Sequence, residues 1–172
     1  MVVMKLSYES LLMESDNNNI ITKEKPLRFY DGRIKGNIIL IRSDMDTIRK
    51  TCVLAEELGH YYTTVGNILD QTNASNRKQE LRARLWAYDR LVGLSDIVRA
   101  YKYGCESLAE TADYLNVTES FLSDALKEYE SKYGTSVVCG EYEISFTPTL
   151  EVMLKKITGD NYGSYTKDIK HL

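Results

Sequence analysis

Val53-Leu54-Ala55-Glu56-Glu57-Leu58-Gly59-His60-Tyr61-Tyr62 is the stretch on which the reading of this 172-residue chain turns. Residues four apart on a helix share a face, so Glu56 and His60 project side by side. Glu57 sits about 100° further round, close enough to address a ligand held by that pair. Gly59 brings no side chain, which lets another backbone or a substrate strand approach closely. The stretch belongs to a longer pattern. Ile48, Cys52, Ala55, Leu58 and Tyr62 recur at steps of three and four and predict one amphipathic helix. Ser43 or Asp44 is the expected cap, Asp46 lies in the first turn, and the helix ends near Thr64–Gly66.

Outward from this helix, the upstream pattern is extended. Asp31-Gly32 between Leu27–Tyr30 and Arg33–Arg42 is a hairpin signal. Asn37–Arg42 is apolar on both faces and predicts a central strand. Ile20–Thr22 reads as a short strand stopped by a breaker at Lys23–Pro26, after a short helix over residues 7–15. Downstream, a loop over Gly66–Asn76 leads to helices over Arg77–Val92 and Ser95–Tyr103. Two more helices, Ser107–Leu115 and Thr118–Tyr133, are joined by Asn116-Val117 and have a helix-turn-helix spacing. Ser107 and Glu110 form a capping box, and Thr118 is an N-cap. Ser136–Cys139 and Tyr142–Phe146 read as short strands, Leu150–Ile157 as a last helix, and Asp160–Leu172 as a frayed tail.

Glu56, Glu57 and His60 have the geometry of a His-Glu-x-x-His zinc helix whose first His is replaced by Glu. A third ligand must come from elsewhere. Glu80 lies on the next helix, which the intervening loop can return antiparallel to the first. Leu54–His60, followed by Glu80-x-x-Ala83-x-x-Trp86-Ala87, resembles the ImmA/IrrE family of metallo-endopeptidases over roughly residues 27–95. In that family a helix bearing H-E-L-G-H precedes one bearing E-x-x-A-x-x-F-A. Leu58-Gly59 matches the inner pair, and Trp86 stands in for the aromatic. The resemblance implies a zinc-dependent peptidase with a zincin-like, gluzincin-type core. It implies Glu56, His60 and Glu80 as metal ligands and Glu57 as the group that activates the metal's water. It further implies a protein partner, a helix-turn-helix repressor of a phage or mobile element, that is cleaved or antagonised. Tyr61 or Tyr62 is a candidate for steadying an oxyanion.

The departure at Glu56 has a chemical consequence. Two carboxylates and one imidazole are a harder ligand set, on which Mn²⁺ or Fe²⁺ competes better with zinc. The added negative charge lowers the Lewis acidity of the ion and raises the pKa of its water. A non-catalytic regulator that binds the repressor stoichiometrically is the competing reading.

Composition narrows the classes. Lys+Arg 22 against Asp+Glu 25 leaves a net charge of −3, so no global basic field favours nucleic acid. Residues 105–134 carry seven acids and two bases, the wrong sign for reading DNA. The basic run from Arg77 to Lys102 reads as a solvated face paired with that acidic unit. No run approaches the ~20 apolar residues of a membrane span, and the N-terminus lacks the pattern of a signal peptide. Three scattered cysteines point to free thiols in the cytoplasm. Only two histidines are present, which excludes a His₃ metal site. The expected architecture is α+β: a zincin-like domain over 1–95, a helix-turn-helix-like unit over 96–134, and an extension over 135–172.

Overall fold

A reciprocal cap opens the first element. Ser7 Oγ accepts the Ser10 N–H while Ser10 Oγ accepts the Ser7 N–H, starting helix α1 (Tyr8–Asn17). A computed structural model describes residues 6–64 and 73–155. The expected loop over 66–76 lies largely outside the described residues, and the expected tail over 160–172 wholly so. Two compact units divide the chain: Met1–Leu91 with Asn116–Thr118, and Val92–Leu115 with Glu119–Leu172. Among the described residues, no helix is long and apolar enough to cross a membrane.

The first unit contains β1 (Ile21–Lys25), β2 (Gly32–Lys35) and β3 (Ile38–Arg42), then α2 (Thr47–Thr64) and α3 (Asn73–Leu91). The sheet order is β1-β3-β2, with β3 parallel to β1 and antiparallel to β2. The apolar run that predicted a central strand is that strand, with Ile39 and Ile41 fully buried. The expected hairpin across Asp31-Gly32 does not form: Leu27–Tyr30 is not a strand, and the pairing is instead between β2 and β3. Gly32 opens β2, and the chain reverses at Gly36, whose φ of 61° suits glycine. Asp31 is instead held by Arg42 at 2.7 Å and Arg49 at 2.6 Å. Lys23–Lys25 is no breaker either, because β3 offers β1 a parallel partner as far as Arg42. The cap of α2 is Asp46 rather than Ser43 or Asp44: its Oδ1 accepts the Arg49 N–H at 2.8 Å. Helix α3 begins at Asn73, four residues before the expected Arg77.

The second unit contains α4 (Leu94–Tyr103), α5 (Leu108–Leu115), α6 (Glu119–Tyr133), β4 (Ser136–Cys139), β5 (Tyr142–Ser145) and β6 (Glu151–Leu154). Ser107 Oγ accepts the Glu110 N–H at 3.1 Å, but the Glu110 carboxylate returns to the Glu106 N–H rather than to that of Ser107. Tyr129 is fully buried and its hydroxyl donates to the Val92 carbonyl at 3.0 Å. The last helix expected over Leu150–Ile157 is a strand. Val152 is buried between less buried neighbours, and β6 completes an antiparallel β4-β5-β6 sheet. A short apolar run is compatible with either state, and the open edge of β5 decides for the strand.

All three cysteines are free; Cys52 and Cys105 are buried and Cys139 is half-buried. Burial pushes the Cys52 thiol up to about 11, against hydrogen bonds from Thr118 that lower it. Alkylation of the folded protein at neutral pH should therefore label Cys139 well before Cys52. Equal labelling of the two in a peptide map would show that the α2 face is not packed as described.

Candidate metal and catalytic site

Helix α2 meets the sheet and α1 through its buried stripe, which includes Cys52, Leu54, Ala55 and Leu58. That leaves Glu56, Glu57 and His60 half-buried at its margin. The approach of α3 is set at one point. A Cβ added to Gly59 would lie 2.3 Å from the Ala83 carbonyl oxygen, so only glycine lets the two backbones come this close. Ala83 and Ala87, both fully buried, are the small residues that α3 presents there. The close crossing places Glu80, one turn before Ala83–Arg84, against the end of α2. His60 Nε2 lies 3.4 Å from Glu80 Oε2. Glu80 Oε1 accepts from Arg84 Nε at 3.0 Å, so the two carboxylate oxygens have different neighbours.

Strand β2 crosses over Glu57. A Cβ on Gly32 would stand 2.5 Å from Val53 Cγ1 and 2.7 Å from Glu57 Oε1. The backbone N–H of Ile34, two residues along on the same face, donates to the Glu57 carboxylate. Burial first, then the carboxylates of Glu56 and Glu80, push the Glu57 pKa up to about 7, with the Ile34 N–H acting in the opposite sense. A carboxyl group titrating there can both accept and return a proton near neutrality.

The residues singled out in the sequence therefore have different fates. Glu80 and His60 face each other. Glu57 lies under β2, within reach of the charges of Glu56 and Glu80. Glu56 acts electrostatically on Glu57 and Arg84. Among the described residues, no three His, Cys, Asp or Glu side chains form a group that could hold a metal, so Glu56 does not close the set. The Tyr62 hydroxyl bonds to Glu14, and its ring lies 5.1 Å from that of Trp86. Three members of the basic run have partners close in the fold. Arg84 pairs with Glu80, Arg90 with Glu14 and Arg99 with Asp96. Sequence reasoning missed Gly32 and Ile34, because Gly32 was assigned to a turn. It missed Arg84 by treating it as one of a solvated series; its position four residues after Glu80 was the available signal.

The family model of the Peptidase M78, IrrE N-terminal-like domain matches residues 15–127, a span that takes in the first sheet, α2 to α5 and the first part of α6. The chain belongs to this family. No curated protein matches it. The family is one of metallopeptidases, and membership implies a metal ion.

The donors present suit such an ion. Two donors bound ~2.0–2.2 Å from one tetrahedral ion stand roughly 3.3–3.6 Å apart, and His60 and Glu80 already have that separation. An imidazole nitrogen with carboxylate oxygens is a ligand chemistry for zinc, manganese or iron. Among the described residues these two donors are not joined by a third; Glu56 is half-buried and one turn from His60.

Proposed function

We propose that this chain is a metal-dependent endopeptidase that acts on a partner protein. The observation that carries the reading is Glu57, buried beneath β2 beside the facing His60 and Glu80. In this reading the first unit is a zincin-like core, and Glu56, His60 and Glu80 hold the ion, with zinc as the metal and Mn²⁺ or Fe²⁺ as alternatives. A bound ion would polarise the scissile carbonyl and acidify a water. Glu57 takes the proton from that water and delivers it to the departing amine nitrogen. The proton stays between two defined sites because β2 shields the carboxylate and the Ile34 N–H fixes one of its oxygens. β2 is an outer strand of its sheet, the one beside Glu57, so an extended substrate can add to it by backbone hydrogen bonding.

The partner in this reading is a helix-turn-helix repressor of a phage or mobile element, met in the cytoplasm. The incomplete convergence of Glu56 favours one second reading, a non-catalytic regulator that binds the repressor stoichiometrically. Metal analysis tests the ligand set. Protein stripped with chelator and reloaded with zinc should hold one ion, and Glu56→Ala or His60→Ala should each lower occupancy at least ~10-fold. Full occupancy in both variants would remove these residues from the site.

The α5–α6 pair serves docking or structure, not DNA reading. Residues 105–134 sum to −5, and Glu119 and Asp124 sit in the first half of α6, where phosphates would be repelled. A gel-shift series with random duplex at low salt should show no complex at micromolar protein. Tight binding that weakens steeply with added salt would overturn this assignment.

A further inference from the structure

The first sheet has one covered face and one open face. Side chains alternate along a strand, and residues paired across strands share a face. Gly32 and Ile34 on β2, with Ile39 and Ile41 on β3, lie on the face that α2 covers. Glu24 on β1 is on that face too, where it accepts from the Tyr8 hydroxyl of α1 at 3.1 Å. The alternate positions therefore turn away from both helices. Lys23 and Lys25 on β1, and Arg33 and Lys35 on β2, are all exposed there. Between these two cationic rows β3 contributes Ile38 and Leu40. Ile38 is 41% exposed and its β1 neighbour Ile21 is 45% exposed, an unusual state for adjacent strand isoleucines. Among the described residues, none of the four cations forms an ion pair, whereas Arg42 on the same face is taken by Asp31 and Asp44. A chain with a net charge of −3 thus gathers unpaired positive charge around an apolar strip on one open face.

We propose that this face is a docking surface for an acidic amphipathic helix of a partner protein. Strands lie ~4.8 Å apart, so the β1 and β2 rows flank β3 at a separation of about 10 Å. An α-helix with its side chains is about 10–12 Å across. Laid over β3, it sets an apolar stripe on Ile38 and Leu40 while carboxylates on its two flanks reach Lys23 and Lys25 on one side and Arg33 and Lys35 on the other. Charge complementarity names the sign of the partner, and the aliphatic strip names its form. Single-stranded nucleic acid needs rings on which bases stack, and the strand positions of this face carry isoleucine, leucine, lysine and arginine. The surface is distinct from Glu57, which lies under the opposite side of β2, so docking here requires neither a metal ion nor cleavage.

The test is fluorescence anisotropy with the full chain and three probes: an acidic amphipathic peptide with leucines on one helical stripe and glutamates on both flanks, the same peptide with its order scrambled, and an oligothymidylate. Vesicles containing phosphatidylserine are assayed in parallel by sedimentation. The amphipathic peptide should bind saturably, and more tightly than the scrambled one. Lys23→Glu combined with Arg33→Glu should weaken it at least ~10-fold at low salt, mostly through slower association. Ile38→Thr keeps a β-branched strand residue but removes apolar contact, and should weaken binding about fivefold at any salt. Lys127→Glu, a charge reversal on α6, should stay within about twofold of wild type, with circular dichroism as the check on fold for every variant. No saturable binding below millimolar peptide would overturn the proposal. Equal binding of the scrambled peptide, or an Ile38→Thr variant that binds like wild type, would also overturn it, since charge alone would then be at work. Tighter binding of the oligothymidylate or of the vesicles, lost in the double charge reversal, would assign the face to nucleic acid or to lipid instead.

Discussion

Glu57→Gln should lower proteolysis by at least ~10²-fold while fold and metal content persist. Gln is nearly isosteric with Glu, so the space under Gly32 and Val53 is kept, and its side-chain oxygen can still accept the Ile34 N–H. What is lost is the ability to take and return a proton. Removing the carboxylate also relieves the burial and like-charge penalties that raise the Glu57 pKa, so the variant should be no less stable than wild type. The measurement compares fragment formation from a co-expressed helix-turn-helix repressor, or from casein as a general unfolded substrate, at matched protein concentration. Equal cleavage by wild type and variant would place the base elsewhere. Equal repressor antagonism with no fragment from either would establish the stoichiometric regulator instead.

Gly59→Val is expected to have the largest structural effect. The first added atom already meets the Ala83 carbonyl oxygen at 2.3 Å and the Ala83 Cα at 3.2 Å. Both are backbone atoms of a helix, so no side-chain rotation relieves the contact, and valine adds two further methyl groups. Two effects compete. Replacing a mid-helix glycine gains about 0.5–1 kcal/mol through the unfolded state. Overpacking a close helix crossing costs about 1–3 kcal/mol or more. The clash is against backbone, so the second wins, and α2 and α3 must separate. Denaturant unfolding should show a clearly lower midpoint with unchanged slope. Zinc retention should fall as well, because the same crossing brings Glu80 to His60. A variant as stable as wild type would mean that the helices do not touch at Gly59.

Much of the first unit was legible because its determinants are local. The i, i+4 spacing of Glu56 and His60 depends only on α2 being a helix, and the apolar stripe from Ile48 to Tyr62 ensures that. The central position of β3 follows from a run that is apolar on both faces and needs cover on each side. Where local chemistry allowed two answers, distant partners chose. Asp31-Gly32 and Gly36-Asn37 are both competent turns. Arg42 and Arg49 engage Asp31, and the reversal falls to Gly36. Leu150–Ile157 reads as a helix, yet Glu151–Leu154 is a strand because β5 supplies an edge.

The sequence by itself determined the helix that carries Glu56, Glu57 and His60, the family to which its motifs point, and the net negative charge of residues 105–134. Tertiary structure alone decided that Glu80 reaches His60 and that Gly32 and Ile34 cover Glu57. The physical reason is range. Helical periodicity and net charge are written in neighbouring residues, whereas a 3.4 Å approach between two helices depends on the absence of a single Cβ at their crossing. The proton affinity of a carboxyl group likewise depends on how much water the strand above it excludes, which no short stretch of sequence encodes.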